Sequence, residues 1–201
     1  MKTPEGHRSM LVIRPADAFE TVAAWKLALE CVTAPCALLL SRQNIAEIPG
    51  KNGATRLKAA FESDRGGYIA FESEGKPDVI LAANGSEVAT LIDAAKLMKS
   101  EKGINARIVS VPSTALFLEQ PADYRESIMP FGMPVFGLTA GLPTTLADIV
   151  GPLGKVSGLD RFGASAPYKV LDDKFGYTPE KVKASIYQYL AEYDAMKKKL
   201  L

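Results

Sequence analysis

Arg42 is the residue of this chain best placed by type and position to bind a charged ligand. It lies in the segment Ser-Arg-Gln-Asn at positions 41–44, directly after the apolar run 37–40, which predicts a buried strand. Ligands of open parallel sheets bind beyond the carboxyl ends of the strands. An arginine there can donate two hydrogen bonds to a phosphate and stays charged at all relevant pH. An ion pair with a carboxylate across a domain boundary explains the position equally well.

The other reactive residue types offer no catalytic group. His7 is the one histidine and lies in a polar leader, so it is interpreted as a bystander, and serine or cysteine nucleophiles elsewhere lack a base. Ser165 is therefore not a nucleophile candidate. Asp172 and Asp173 are adjacent, so on a helix they point in different directions and favour a solvated face over a metal site.

Cys31 and Cys36 do not have the spacing of a zinc site, and no second pair or nearby histidine completes one. Both are expected to act as small buried apolar residues. No Gly-Lys-Ser or Gly-Lys-Thr phosphate loop is present either. The residues alone therefore place no metal site and no cofactor site.

Two further positions combine a possible ligand role with a simpler structural one. Gly85 and Ser86 open a helix after a strand, where an anion could bind, but Ser86 as N-cap is a sufficient explanation. Asp17 and Glu20 have the spacing of a capping box at the start of another helix. Arg14 ends the preceding strand and could reach a ligand or a carboxylate, and the structural role is favoured for it and for Asp17.

The elements that position these residues fall into two α/β groups. Residues 10–13 and 37–40 predict strands on either side of a helix that begins after Asp17, which is one β-α-β unit with parallel strands. A polar, turn-rich break follows within 43–65. Further strands are then predicted at 67–71, 79–83, 107–111, 134–138 and 155–159, with helices or helical turns at 86–102, 124–129, 146–150 and 179–199.

Composition narrows the class of protein. The 201 residues are 47% hydrophobic, and 24 Lys and Arg balance 23 Asp and Glu. A net charge of +1 gives no reason to expect nucleic acid or a membrane as partner. The basic run 197–199 suits the end of a helix. No apolar run is long enough to cross a bilayer and residues 1–7 do not read as a signal peptide, so a cytoplasmic protein is expected.

The segment "LDRFGASAPYKVLDDKFGYT" at 159–178 resembles the signature near the carboxyl end of transketolases. Six other segments agree in family order: "IRPADAFETVAAWKLAL", "LLLSRQN", "RGGYIAF", "AANGSEV", "ARIVSVPST" and "YRESIMP". The resemblance implies an α/β fold in three parts. Residues 1–50 would be the last β-α-β unit of a parallel-sheet pyrimidine-binding domain, 51–65 a linker, and 66–201 a smaller three-layer α/β C-terminal domain with a mixed sheet.

The resemblance also implies a function. Transketolases transfer a two-carbon ketol unit between sugar phosphates in the pentose phosphate pathway, as homodimers that use thiamine diphosphate and a divalent cation, Mg²⁺ or Ca²⁺. The arginine of their "SRQN" motif contacts the sugar phosphate, and that residue here is Arg42. Arg161, in the signature, is expected to hold a loop or an interdomain contact. Deoxyxylulose phosphate synthases and pyruvate dehydrogenase beta subunits share the domain order but lack "RFGASAP", and dihydroxyacetone synthases are closer than these and stay an alternative.

The parts of a transketolase that bind diphosphate, metal and the aminopyrimidine ring match nothing in this sequence. No catalytic, cofactor-binding or metal-binding residue is therefore assigned, and the chain alone is expected to be inactive without the missing domains, which a separate chain could supply. A truncated product, an isolated domain or a remnant gene would each fit, and a non-catalytic dimerisation or regulatory domain is the alternative. The β-α-β unit should self-associate through its open edges, while 66–201 should fold independently.

Overall fold

Two separate sheets organise the computed structural model, which describes residues 8–50 and 55–200. His7 and residues 51–54 of the predicted linker lie outside the described residues, so the interpretation of His7 stays a prediction. In the part of the chain that is described, no helix is long and apolar enough to cross a membrane.

The first sheet is the predicted β-α-β unit. Strand β1 (Leu11–Ile13) and strand β2 (Cys36–Leu38) pair in parallel on either side of helix α1 (Ala18–Glu30). The helix begins where it does because Asp17 Oδ1 accepts a hydrogen bond from the Glu20 amide at 2.9 Å. Both the crossover and the Asp17 cap are confirmed. Strand β2 ends two residues earlier than predicted.

The described part of the predicted linker is helical. Helix α2 (Arg56–Ala60) begins at Thr55, whose hydroxyl accepts a hydrogen bond from the Lys58 amide at 3.4 Å, and a 3₁₀ helix follows at Phe61–Arg65. Arg56, Ala59 and Ala60 are buried. The segment therefore packs as part of the fold, where the composition of the sequence indicated only a break.

The second sheet is mixed, as predicted. Its strands are β3 (Tyr68–Glu72), β4 (Val79–Ala83), β5 (Ala106–Ser110), β6 (Val135–Leu138) and β7 (Lys155–Ser157), in the order β3-β5-β4-β6-β7. Strand β3 is antiparallel to β5, and the other pairs are parallel. Strand β4 is central and fully buried, which explains its continuous apolar sequence.

Helices cover both faces of this sheet and give it three layers. On one face, helices α3 (Glu87–Lys102) and α8 (Pro179–Leu200) pack over a core that includes Leu81, Leu91, Met98, Ile186 and Tyr189. On the other face, helices α4 (Thr114–Leu118), α5 (Ala122–Ile128) and α6 (Ala147–Val150) pack over Ile80, Val109, Phe117, Leu146 and Ile149. Alternate residues of β4 enter opposite cores, as the two-residue period of a strand requires.

Helix α7 (Tyr168–Phe175) is absent from the predicted elements. Tyr168, Leu171 and Phe175 have helical spacing in the sequence, but the helix is short and none of its residues is buried. It lies between the signature segment and α8 and forms one wall of the cavity described next.

Candidate functional site

A crevice lies beyond the carboxyl ends of β4 and β6. The chain leaves β4 through α3 to reach β5 on one side, and later returns to β6 on the other side of β4. Adjacent strands whose connections run to opposite faces leave a crevice at their carboxyl ends. Two cavities open there. The first cavity, of about 420 Å³, is lined among others by Glu87, Asp172 and Tyr177, and the second has about 520 Å³. Arg14 and Ala140 line both cavities.

Arg14 divides the two cavities. Its Nη1 donates hydrogen bonds to the main-chain oxygen of Asn84 at 3.0 Å and to its Oδ1 at 2.7 Å, and lies 2.6 Å from Glu87 Oε2. Gly85 makes room for it, because a Cβ there would fall 2.7 Å from Arg14 Cζ, and the glycine also has a φ of +65°. The structural interpretation of Arg14, in which it reaches a carboxylate, is confirmed.

Ser86 occupies the N-cap position of α3, but its side chain does not cap the helix. The residue has a helical conformation, and its hydroxyl donates to Glu87 Oε1 at 2.8 Å. The prediction that the Ser86 side chain caps this helix was therefore wrong. A carboxylate in the first turn suits the helix dipole and takes the place that an anion would occupy.

Asp172, Tyr168 and Tyr177 supply the other ionisable groups of the first cavity. The Tyr177 hydroxyl donates to the Thr139 carbonyl at 2.8 Å, and burial and the charge of Glu87 raise the pKa of Tyr177 to about 12. Burial, and then Glu87, also raise the pKa of Asp172. Asp173 is exposed and pairs with Lys181 at 2.8 Å, so the expected divergence of the two aspartates is confirmed. The solvated face expected for both was wrong for Asp172, which is half-buried and lines the cavity.

Residues 66–178 match the family described as the transketolase-like C-terminal domain. The chain belongs to the transketolase family. It is 41% identical to transketolase 2 of Vibrio parahaemolyticus over 179 residues, which cover 89% of this chain and 26% of that protein. It is 39% identical to transketolase 2 of Escherichia coli K12, over 88% of this chain and 26% of that protein. The chain thus spans about a quarter of the length of these relatives.

Solved transketolases have the same fold. The Pichia stipitis enzyme in complex with sedoheptulose-7-phosphate superposes with a TM-score of 0.80 at 33% identity, over 95% of this chain and 26% of that one. A split-gene transketolase, described as an inactive β4 tetramer, superposes with a TM-score of 0.69 at 23% identity. The match covers 92% of this chain and 59% of that one, and it shows the fold alone.

Some of the residues in the transketolase motifs line this crevice, and others are exposed beside it. Arg42 is exposed in the loop that follows β2, and its neighbours Ser41, Gln43 and Asn44 line the first cavity, whereas Arg42 does not. Residues 160–167 of the signature form an exposed loop, in which Phe162 is 98% exposed. Arg161 Cζ lies 6.0 Å from the centre of the Phe175 ring. The sugar-phosphate role of Arg42 stays a prediction.

A buried polar cluster of Asp17, Glu20, Arg56 and Tyr68 was missed by sequence reasoning. Arg56 donates to Asp17 Oδ2 at 2.7 Å and to the Tyr68 hydroxyl at 2.7 Å, and Tyr68 donates to Glu20 Oε1 at 2.6 Å. Glu20 Oε2 also accepts from the Ala16 amide at 2.7 Å. Burial raises the pKa of Glu20. The capping-box spacing revealed only the local part of this cluster.

Cys31 and Cys36 form no disulfide and are only half-buried, so the prediction that both are buried was wrong. The two thiols donate to the same acceptor, the Ala34 carbonyl, at 3.5 and 3.7 Å. Within residues 8–50 and 55–200, no three His, Cys, Asp or Glu side chains come together as a possible metal site.

Proposed function

We propose that this chain forms the C-terminal part of a transketolase and serves the transfer of a two-carbon ketol unit between sugar phosphates. The observation that carries the proposal is the two-stranded sheet of the β-α-β unit, together with the apolar face that its helix exposes. Its sheet contains only β1 and β2 among the described strands, and the outer side of α1 and the loop after it expose apolar side chains. Trp25 is 54% exposed, Leu29 75% and Val32 89%. Such a face suits docking against further transketolase domains.

Arg42 is proposed to bind the phosphate of the sugar. Its guanidinium lies in the exposed loop at the carboxyl end of β2, and no ion pair or hydrogen bond to another described residue occupies it. An arginine in this state is available to form a two-pronged hydrogen bond with a phosphate. The position beyond a parallel strand, which the sequence predicted, supports the same role.

Thiamine diphosphate and its Mg²⁺ or Ca²⁺ ion are assigned to domains outside this chain. The described side chains offer no cluster of metal ligands, and the sequence matches none of the family's diphosphate-binding motif, so the residues present do not fit the cofactor. The cofactor supplies the carbanion chemistry in transketolases, while the protein binds and orients. This chain alone is accordingly proposed to be inactive, and to act in the cytoplasm within a homo-oligomeric enzyme of the pentose phosphate pathway.

Reconstitution tests this function. The chain would be co-expressed with Escherichia coli transketolase 2 from which the matching C-terminal quarter has been removed, with thiamine diphosphate and Mg²⁺ present. We expect ketol transfer from a ketose phosphate to an aldose phosphate only when both polypeptides are present. A stable complex without activity would overturn the proposed function, and activity of this chain alone would overturn the assignment of the cofactor.

A matched variant makes the reconstitution specific. Trp25→Glu together with Leu29→Glu changes two exposed side chains of α1, so the chain should still fold but should no longer dock or restore activity. Leu57→Glu adds a similar charge at an exposed residue of α2, 41% exposed, and should leave the activity of the complex unchanged. An equal loss of activity in both variants would show that the exposed face of α1 is not the docking interface.

A non-catalytic regulatory domain is the second candidate function. The observation in its favour is the first cavity, which contains buried charge and aromatic rings that the proposed ketol transfer does not use.

A further inference from the structure

The first cavity carries one carboxylate more than its cation can neutralise. The lining contains one arginine, Arg14, and two acids, Glu87 and Asp172. Glu87 is paired with Arg14 at 2.6 Å. Asp172 is half-buried, and within the described part of the chain its carboxylate has no ion pair or side-chain hydrogen bond. Such a carboxylate is available to form a charge-assisted hydrogen bond with a bound cation.

Aromatic side chains line the same cavity as this carboxylate. Tyr168, Asp172 and Phe175 are spaced i, i+4 and i+7 along α7, so they share one face of the helix, and all three line the cavity. Tyr177 completes the wall, with its hydroxyl held by the Thr139 carbonyl at 2.8 Å. The faces of aromatic rings attract ammonium groups, most strongly where water is partly excluded.

Other ligand classes fit the cavity less well. An anion would meet the first turn of α3, but the carboxylate of Glu87 already lies there and pairs with the only lining cation. A metal ion needs more ligands than the two carboxylates provide, and no third His, Cys, Asp or Glu side chain joins them among residues 8–50 and 55–200. An organic cation satisfies both the spare carboxylate and the aromatic walls.

We propose that this cavity binds an organic ammonium ion, with Asp172 as its ion-pair partner and Tyr168 and Phe175 as aromatic walls. Burial and the nearby charge of Glu87 raise the pKa of Asp172, which is the direction expected where a positive charge is lacking. The opposite wall is the loop that contains Ser41, Gln43 and Asn44, so the ligand would bridge the β-α-β unit and the second domain. The proposal is independent of ketol transfer.

Calorimetric titration of the full chain tests the proposal with choline as the probe. The neutral isostere 3,3-dimethylbutan-1-ol has the same shape as choline without its charge, so it separates the ammonium from apolar burial. We expect saturable binding of choline, at least tenfold weaker binding of the isostere, and at least tenfold weaker binding of choline to Asp172→Asn. Tyr168→Leu keeps apolar area but removes the aromatic face, and should also weaken choline binding severalfold.

Asp173→Asn is the matched control, because it removes the same charge from the same helix outside the cavity, at a residue paired with Lys181. Binding of choline to this variant should equal that of the unmodified chain. An equal loss of choline binding in both aspartate variants would mean that binding depends on the overall surface charge, and it would overturn the proposal. So would equal binding of the neutral isostere, saturable binding of inorganic phosphate in place of choline, or no saturable heat with any probe.

Discussion

Arg56 Nε donates to Asp17 Oδ2 at 2.7 Å, across 39 positions of sequence. Both side chains are buried, at 4% and 0% exposure. The ion pair joins the start of α1 to α2, and the bond from Arg56 to the Tyr68 hydroxyl extends it to β3. The β-α-β unit and the mixed sheet therefore meet at a buried polar junction through α2, and removing residues 1–50 would leave Arg56 without its carboxylates.

Arg56→Leu should strongly destabilise the chain. The substitution leaves the carboxylate of Asp17 buried without its cation, and breaking a buried ion pair on one side costs about 3–5 kcal/mol. Urea unfolding at pH 7 would measure the loss. Lys58→Ala, on the exposed side of the same helix, is the control and should change the free energy of unfolding by less than about 0.5 kcal/mol. Similar losses in both variants would contradict a special role for the cluster.

The stability of the chain should fall as pH rises above the ordinary range of a glutamate. Burial raises the pKa of Glu20, so the folded state holds a proton that the unfolded state has already released. The free energy of unfolding then decreases with pH, from about pH 4.3 up to the folded pKa, by at most about 1.4 kcal/mol per pH unit. Glu20→Gln has no proton to lose there, so its profile between pH 5 and 8 should be flatter. Parallel profiles for the two proteins would show that Glu20 does not titrate in this window.

The sequence predicted those parts of the fold that depend on neighbours along the chain. Apolar periodicity placed β4, β5, β6, α3 and α8, and capping chemistry placed Asp17. Helix α2 could not be predicted, because its stability comes from the burial of Arg56 against residues 36 and 39 positions away. Helix α7 was missed although Tyr168, Leu171 and Phe175 have helical spacing, because the helix is short and contributes no buried residue to either core.

The candidate site shows the same division. The adjacency of Asp172 and Asp173 indicated that they diverge, whereas the phosphate role that position after a parallel strand indicated for Arg42 stays a prediction. The cavity depends on Arg14, Glu87 and Asp172 meeting from three distant parts of the chain, and no local pattern in one sequence records that meeting. Gly85, whose missing Cβ admits the Arg14 guanidinium, could have been found only by asking which side chain a glycine makes room for.

The exposed apolar face of α1 should make the isolated chain self-associate. Val22, Trp25 and Leu29 are all more than half exposed, and the β1–β2 sheet has open edges among the described strands. Sedimentation velocity should show concentration-dependent oligomers for the unmodified chain and a monomer for Trp25→Glu with Leu29→Glu. This pair of substitutions is a cleaner test than removing residues 1–50, which would also leave Arg56 without Asp17. Unchanged association of the double variant would place the contact elsewhere.

Arg42→Ala should discriminate between phosphorylated and free sugars in the reconstituted enzyme. Because the proposed contact is with the phosphate, its loss should raise the KM for a ketose phosphate at least tenfold and leave the KM for the free ketose within about twofold, consistent with a charged hydrogen bond of roughly 1.5–3 kcal/mol. Steady-state kinetics on both substrates gives the ratio. Arg42→Lys keeps the positive charge without the two-pronged geometry, so its KM for the ketose phosphate should lie between those of the unmodified enzyme and Arg42→Ala. An equal rise in KM for both substrates would remove Arg42 from the phosphate site, and it would leave the ion pair across a domain boundary as its role.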